Sequence, residues 1–177
     1  MINKPAATGT WLDRYVDLVP DTSLIDGFKR QTQETLNLLS TLNDAEVNFR
    51  YAEGKWNLKE MMVHLIDTER IFAFRAMAFA RSEKQALPGY DENDYVKNSH
   101  ADTRDWRSLL EEFIVVRTCT VATFAGFHPS VLNNTGTANN MLMPVAALGF
   151  AILGHEMHHI NIIQTRYLVH TNQSAAN

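Results

Sequence analysis

The stretch GHEMHHINII, residues 154–163, places three histidines and a glutamate among apolar side chains. Successive residues of an α-helix turn by about 100°, so His155 and His159 lie one above the other on the same face. The stripe that holds both histidines runs on through Val145, Leu148, Ile152, Ile162, Ile163 and Arg166. The stretch therefore predicts a helix from Pro144 to about Val169 whose buried face carries His155 and His159.

Working outward, the same periodicity predicts three more helices of similar length. They run from the cap Asp21 to about Leu42, from the cap Asn57 to about Ser82, and from Thr103 or Asp105 to about Ala125. We find no convincing alternating strand, so the expected fold is all-α, an up-down four-helix bundle with long connections. One domain should span residues 1–177, with the bundle at about 21–170 and an N-terminal lead-in and a C-terminal tail outside it.

Composition limits the function classes. The chain has 177 residues, 45% apolar and 20% charged, with a net charge of −4 and no basic block, which argues against a nucleic-acid partner. Its single cysteine excludes an intrachain disulfide and a cysteine-rich metal site, and a reducing cytoplasm fits best. We see no secretory leader and no run of about 18 apolar residues, so no membrane association is expected.

A third histidine falls on an inward stripe. His64 lies between Met61 and Thr68 on the buried face of the second predicted helix. A lone histidine on such a face is often a hydrogen-bonded core residue. Three unpaired imidazoles in one core would cost roughly 1–3 kcal/mol each, whereas one divalent ion satisfies all three. His158 is expected to pack beside the ligands, and the remaining histidines, His100, His128 and His170, are expected on the surface.

Three motifs resemble the DinB-like (YfiT-like) metalloprotein family. They are KWNLKEMMVHLIDTER (residues 55–70), LPGYDENDYV (87–96) and GHEMHHINII (154–163). The resemblance implies a four-helix bundle whose second helix supplies one histidine and whose last helix supplies two, here His64, His155 and His159. It also implies a divalent ion, thiol-dependent transfer or isomerisation with low-molecular-weight thiols, and a homodimer.

A competing match is literal, because His155-Glu156-x-x-His159 has the H-E-x-x-H pattern of zinc peptidases. In those enzymes the glutamate is the general base. We find no sheet of the kind that holds a peptide substrate, and His64 is a better third ligand than any downstream residue. Glu156 stays a candidate catalytic residue, as a hydrogen-bond acceptor beside the ligands or as a proton acceptor, with a solvated or subunit-contacting glutamate as the alternative.

Three histidine ligands leave a coordination position open, as in catalytic rather than structural zinc sites. We expect zinc or nickel, and transfer of a small-molecule thiol to an electrophilic substrate. Metal-dependent hydrolysis and a non-catalytic, metal-stabilised interaction module are the alternatives. Candidate substrate-binding residues are Arg75 and Arg166, late in their stripes, and Tyr90, in the acidic connection 85–104. The favoured alternative is that the two arginine side chains simply reach solvent, and packing within the loop explains Tyr90 equally well. The connection itself could cover the site or be a solvated loop.

Overall fold

Four long helices dominate the computed structural model of the protein, which describes residues 1–20 and 23–169. In chain order the α-helices are α1 (Asp13–Val16), α2 (Leu24–Leu39), α3 (Asp44–Asn48), α4 (Leu58–Ala80), α5 (Glu92–Ser99), α6 (Trp106–Ala125) and α7 (Val145–Ile162). Short turns of 3₁₀-helix lie at Ala101–Thr103 and Pro129–Val131, and a π-helical turn at Ile163–Tyr167 continues α7. The expected four-helix bundle is confirmed, with α2, α4, α6 and α7 as its helices.

Side-chain caps explain where the bundle helices begin. Asn57 caps α4, as the sequence predicts, and Glu60 completes a capping box with it. Ser23 accepts a hydrogen bond from the Asp26 amide at the start of α2, and Asp105 caps α6. The predicted cap Asp21 lies outside the described residues.

The core consists of two apolar clusters separated along the helices. On α7 the first cluster reaches Leu153 and the second resumes at Ile160; on α4 the second ends at Ile66 and the first begins at Phe72. Buried polar side chains fill the interval between the clusters on both helices, namely Thr68, Glu69, His155 and Glu156. This polar layer contains the candidate site. No helix within the described ranges is long and apolar enough to cross a bilayer.

The N-terminal residues differ from the expected lead-in because they pack on α7. Leu12, Tyr15 and Val16 are buried in the first cluster. The close approach requires Gly154, since a Cβ there would lie 1.9 Å from the Tyr15 carbonyl oxygen. The segment was missed because α1 has only four residues, too few to show a helical period.

The two long connections also contain regular structure. The acidic connection holds α5, which Asp91 caps. The second holds a β-hairpin, in which β1 (Thr135–Ala138) pairs antiparallel with β2 (Met141–Pro144), and this corrects the expectation of no strand. Strands of four residues are too short to show alternation, although Asn139 and Asn140, both at positive φ, suit a two-residue hairpin turn. Leu87, ahead of α5, bridges to Ala138 and ties the connections together.

Candidate metal centre

Three imidazoles from two helices meet inside the bundle. His64 comes from α4, and His155 and His159 come from α7. The Nε2 atom of His155 lies 3.0 Å from Nε2 of His64 and 3.1 Å from Nε2 of His159. One nitrogen from each of the three rings lies within 4.8 Å of the others. The structure therefore brings together the histidines that the sequence predicts as a set.

The three rings suit a divalent ion. Burial lowers the pKa of His64 to about 4 and that of His159 to about 3, and burial with the neighbouring His159 holds the pKa of His155 well below its usual range. Each ring is therefore neutral near pH 7, the form that binds metals. The buried Nδ1 of His159 has no hydrogen-bond partner among the described residues, so that ring's main polar interaction is at Nε2. Three neutral nitrogens are a common zinc donor set.

Aromatic side chains hold the imidazoles in place. The Tyr15 ring meets the His155 ring edge to face, with centroids 5.1 Å apart, and Trp56 packs on His64 at 4.9 Å. His158 packs on His159 and on Tyr15, with centroids 5.2 Å and 5.8 Å apart. His158 is outside the three-nitrogen set, which agrees with the packing role expected for it.

The three histidines line a cavity of about 390 Å³. Its other walls come from the N-terminal segment, from α4, from the connection after α4 and from the tip of the hairpin. The aromatic lining residues are Trp11, Tyr15, Trp56, Phe72 and Tyr90, and the charged ones are Arg14, Arg75 and Glu92. A small molecule can therefore reach the imidazoles past aromatic and basic side chains.

The other predicted site residues divide into two groups. Arg75 and Tyr90 line the cavity, and the Tyr90 hydroxyl shares a hydrogen bond of 2.7 Å with the Thr68 hydroxyl. Arg166 is exposed on the π-helical turn and is absent from the described cavity lining. His100 and His128 are exposed, as expected, and His170 lies outside the described residues.

Glu156 points into a buried ion-pair cluster. Its carboxylate accepts hydrogen bonds of 2.6 Å from the Thr35 hydroxyl and 2.6 Å from Nη2 of Arg117. The same Arg117 donates to both oxygens of Glu69, at 2.8 Å and 2.7 Å. Burial raises the pKa of Glu156, and Arg117 opposes that rise. Glu156 is absent from the described cavity lining. Its carboxylate therefore takes part in the buried ion pairs and does not face the histidines.

Sequence reasoning missed the contribution of the N-terminal segment to the site, namely Trp11, Arg14 and Tyr15. It also missed Asn139 at the hairpin tip and the pairing of Glu69 with Arg117. One available signal was the position of Arg117, a charged residue beside Val116 on the predicted buried stripe of α6. No periodic pattern marks the N-terminal residues.

A helical bundle with three inward imidazoles from two helices defines a class, the all-α proteins with a three-histidine candidate metal centre. Within that class the chain belongs to the DinB superfamily, whose family model matches residues 28–163. The structure is similar to that of YfiT from Bacillus subtilis, described as a probable metal-dependent hydrolase with an unusual four-helix bundle topology. The TM-score is 0.72 at 15% sequence identity, over 91% of this chain and 89% of that chain. No curated protein matches the sequence.

Proposed function

We propose that the protein is a metal-dependent enzyme that activates a small nucleophile, a low-molecular-weight thiol or water, for attack on a small electrophilic substrate. The observation that carries the proposal is the convergence of three neutral imidazoles in the wall of a cavity open to small molecules. A structural zinc site is usually closed by four protein ligands, whereas three ligands leave a position for a reactant. The composition of this donor set therefore favours catalysis over a purely structural role.

His64, His155 and His159 would hold one divalent ion, with zinc and nickel as the expected metals. Such an ion lowers the pKa of a bound water to about 7 and takes a thiol as its thiolate. Tyr15 and Trp56 fix the orientation of two of the imidazoles by ring contacts. The cavity walls then bind and orient the substrate beside them.

A thiol is the preferred nucleophile because the cavity offers little help in removing a proton. Glu156 is engaged by Thr35 and Arg117, and the one carboxylate in the described lining belongs to the exposed Glu92. A free thiol already ionises with a pKa near 8.5, whereas water reaches a pKa of about 7 only through the ion itself, so a thiol depends less on assistance at the site. We therefore propose thiol transfer first. Hydrolysis is second, and the description of YfiT supports it.

Metal analysis of the protein, prepared without a histidine tag, tests the site. We expect about one divalent ion per chain in the wild type and in the control His128→Ala, whose ring is exposed. His64→Ala should lose the ion or bind it much more weakly. Full retention of metal by His64→Ala would overturn the three-histidine site.

Turnover separates the two proposed reactions. The metal-loaded protein is screened with low-molecular-weight thiols against electrophiles, and without thiols against esters and amides. Thiol-dependent turnover that His64→Ala abolishes supports the transferase, and thiol-independent cleavage that His64→Ala abolishes supports the hydrolase. If the loaded wild type turned over nothing in either screen, the enzymatic proposal would fail. The expected homodimer stays a prediction that analytical ultracentrifugation can check.

A further inference from the structure

Arg75 is a buried cation in the cavity wall without an acidic partner. Arg75 is only 3% exposed to solvent. Its hydrogen bond in the described chain runs from Nη2 to the Pro88 carbonyl oxygen, at 2.8 Å. Arg117 is equally buried and pairs with Glu69 and Glu156. The more exposed Arg70 and Arg104 both contact Glu112. Arg75 alone among these four has no ion pair within the described residues.

An unpaired buried guanidinium is unfavourable unless another group offsets its lost hydration. Burial lowers the pKa of Arg75, and the nearby Tyr90 opposes the change. An arginine nevertheless remains charged in proteins and offers five N–H donors in a planar fork. The carbonyl of Pro88 uses one nitrogen of this fork, and the guanidinium carbon lies 5.6 Å from the centre of the Phe72 ring, a contact that uses no N–H donor. The remaining donors can pair with an anion that enters the cavity.

The position of Arg75 sets the length of the ligand that reaches both it and the histidines. His64, Thr68, Phe72 and Arg75 follow one another on one face of α4, and all four line the cavity. Eleven residues at about 1.5 Å each separate the first from the last by about 16 Å along the helix axis. The cavity therefore extends along three turns of α4, with the imidazoles at one end and Arg75 at the other.

We propose that this cavity contains a carboxylate subsite at Arg75. The small-molecule substrate of the proposed reaction carries a carboxylate at the end remote from its reacting group. A guanidinium fork matches carboxylates and phosphates alike. At this end of the cavity Arg75 is the one buried cation among the described lining residues, so an anion of single charge matches it better than a phosphate dianion. The ring of Phe72 and the indole of Trp11 provide an apolar wall for the part of the substrate in between. The inference rests on the proposed function only where it assigns a reacting group to the substrate. Binding of a carboxylate at Arg75 does not depend on the reaction.

Arg75 and Tyr90 also line a second, outer cavity of about 280 Å³ beside Phe74 and Tyr95. That outer cavity is lined mainly by apolar side chains. The polar side chains of Thr68 and Asn139 lie on the inner side. We therefore place the carboxylate on the inner side, and the test distinguishes the two cavities.

The test titrates 4-phenylbutanoate, its neutral amide and phenyl phosphate into the full-length protein treated with a chelator. Removing the metal ensures that a carboxylate bound to the ion is not counted. Calorimetry gives the affinity, and tryptophan fluorescence reports the location, because Trp11 and Trp56 line the inner cavity and no tryptophan lines the outer one among the described residues. The variants are Arg75→Met, Arg75→Lys, Phe74→Ala in the outer cavity, and the control Arg81→Met at an exposed position.

We expect the acid to bind at least about tenfold more tightly than the amide and to change tryptophan fluorescence. Arg75→Met should remove this preference, Arg75→Lys should keep part of it, and Arg81→Met and Phe74→Ala should keep all of it. The comparison of acid with amide uses the wild type, so it stands even if Arg75→Met fails to fold.

The proposal is overturned if the wild type binds no acid in the millimolar range, or binds acid and amide equally. Undiminished preference for the acid in Arg75→Met, tighter binding of phenyl phosphate, or binding that only Phe74→Ala removes would also overturn it. Failure of the proposed reaction is separate. If the protein shows no turnover and still binds the acid through Arg75, the subsite proposal stands and the proposed reaction fails. If the protein is active and shows no preference for the acid, only the subsite proposal fails.

Discussion

His155 and Glu156 are neighbours in the chain, and one helical step of about 100° sends their side chains to different surroundings. The His155 ring enters the three-nitrogen set in the cavity wall. The Glu156 carboxylate, 2% exposed as a residue, faces Thr35 and Arg117 instead. In the H-E-x-x-H peptidases the glutamate must reach the nucleophilic water. The H-E-x-x-H pattern is therefore present in the sequence, but the contacts of Glu156 are those of a residue that joins helices and not those of a general base.

Glu156→Gln should therefore keep the metal and lower the stability. The amide still accepts hydrogen bonds, but Arg117 loses one of its two carboxylate partners, and a hydrogen bond to a charged group contributes about 1.5–3 kcal/mol. Urea unfolding should show a loss of that size, with about one divalent ion per chain still bound. Unchanged stability together with lost turnover would instead support the catalytic role.

At the scale of the helices, Arg117 joins all four bundle members at one level. From α6 it donates to Glu69 on α4, to Glu156 on α7 and, at 3.1 Å from Nη1, to the Thr32 hydroxyl on α2. The residues of its two ion pairs are almost fully buried. Such a cluster specifies how the helices are rotated against one another, because a different rotation would leave charges buried without partners.

Arg117→Met should destabilise the protein strongly, by about 3–5 kcal/mol, because two carboxylates remain buried without their cation. The matched control is Arg107→Met, which breaks an exposed pair with Glu111 and should change stability by less than about 1 kcal/mol. Urea unfolding of both variants measures the difference. Equal effects of the two substitutions would show that the buried cluster contributes little.

Contact between the N-terminal segment and α7 depends on one glycine. Gly154→Ala places a methyl group on the Tyr15 backbone, so α1 must move away from α7, at a cost of about 1–3 kcal/mol. The milder control is Gly126→Ala, where the added Cβ would lie 3.3 Å from its nearest atom. We expect faster proteolysis near residues 11–19 and a change in the environment of His155 by NMR, since Tyr15 packs on that ring. Unaltered cleavage in Gly154→Ala would contradict this account.

These helices also show how much of the fold and of the candidate site can be predicted from the sequence. The long helices and the histidine set were predictable because a 3.6-residue period and a four-residue spacing are local properties of one segment. The contacts of Gly154 with Tyr15, and of Arg117 with Glu69, join segments far apart in the chain. They depend on how helices rotate and approach, which no single segment encodes. Arg166 shows a limit of the stripe, which groups it with inward residues. Its side chain is exposed on the π-helical turn at Ile163–Tyr167, in agreement with the favoured alternative that it reaches solvent.

For the molecule as a whole, the candidate centre lies between the two apolar clusters. We therefore expect the side chains that drive folding to differ largely from those that bind metal. The first cluster buries Phe28, Phe79, Phe124 and Phe150, and the second buries Leu109 and Phe113, none of which lines the cavity in the described chain. Buried apolar surface of this kind supplies most of the stability of a bundle. We therefore expect a metal ion bound between the clusters to add to that stability without being required for it, unlike the ion of a small zinc finger.

Removal of the metal should consequently leave the helices in place. The chelator-treated wild type is expected to keep its far-ultraviolet circular dichroism and to unfold cooperatively. Zinc added back at about a hundredfold over its Kd should stabilise it by about 2.7 kcal/mol, which raises Tm by roughly 5–10 °C for a chain of this length. His64→Ala should show neither the rise nor the bound ion, and His128→Ala should show both. If the helices instead melted when the metal was removed, the ion would be structural, and the non-catalytic, metal-stabilised module would become the better account of the three histidines.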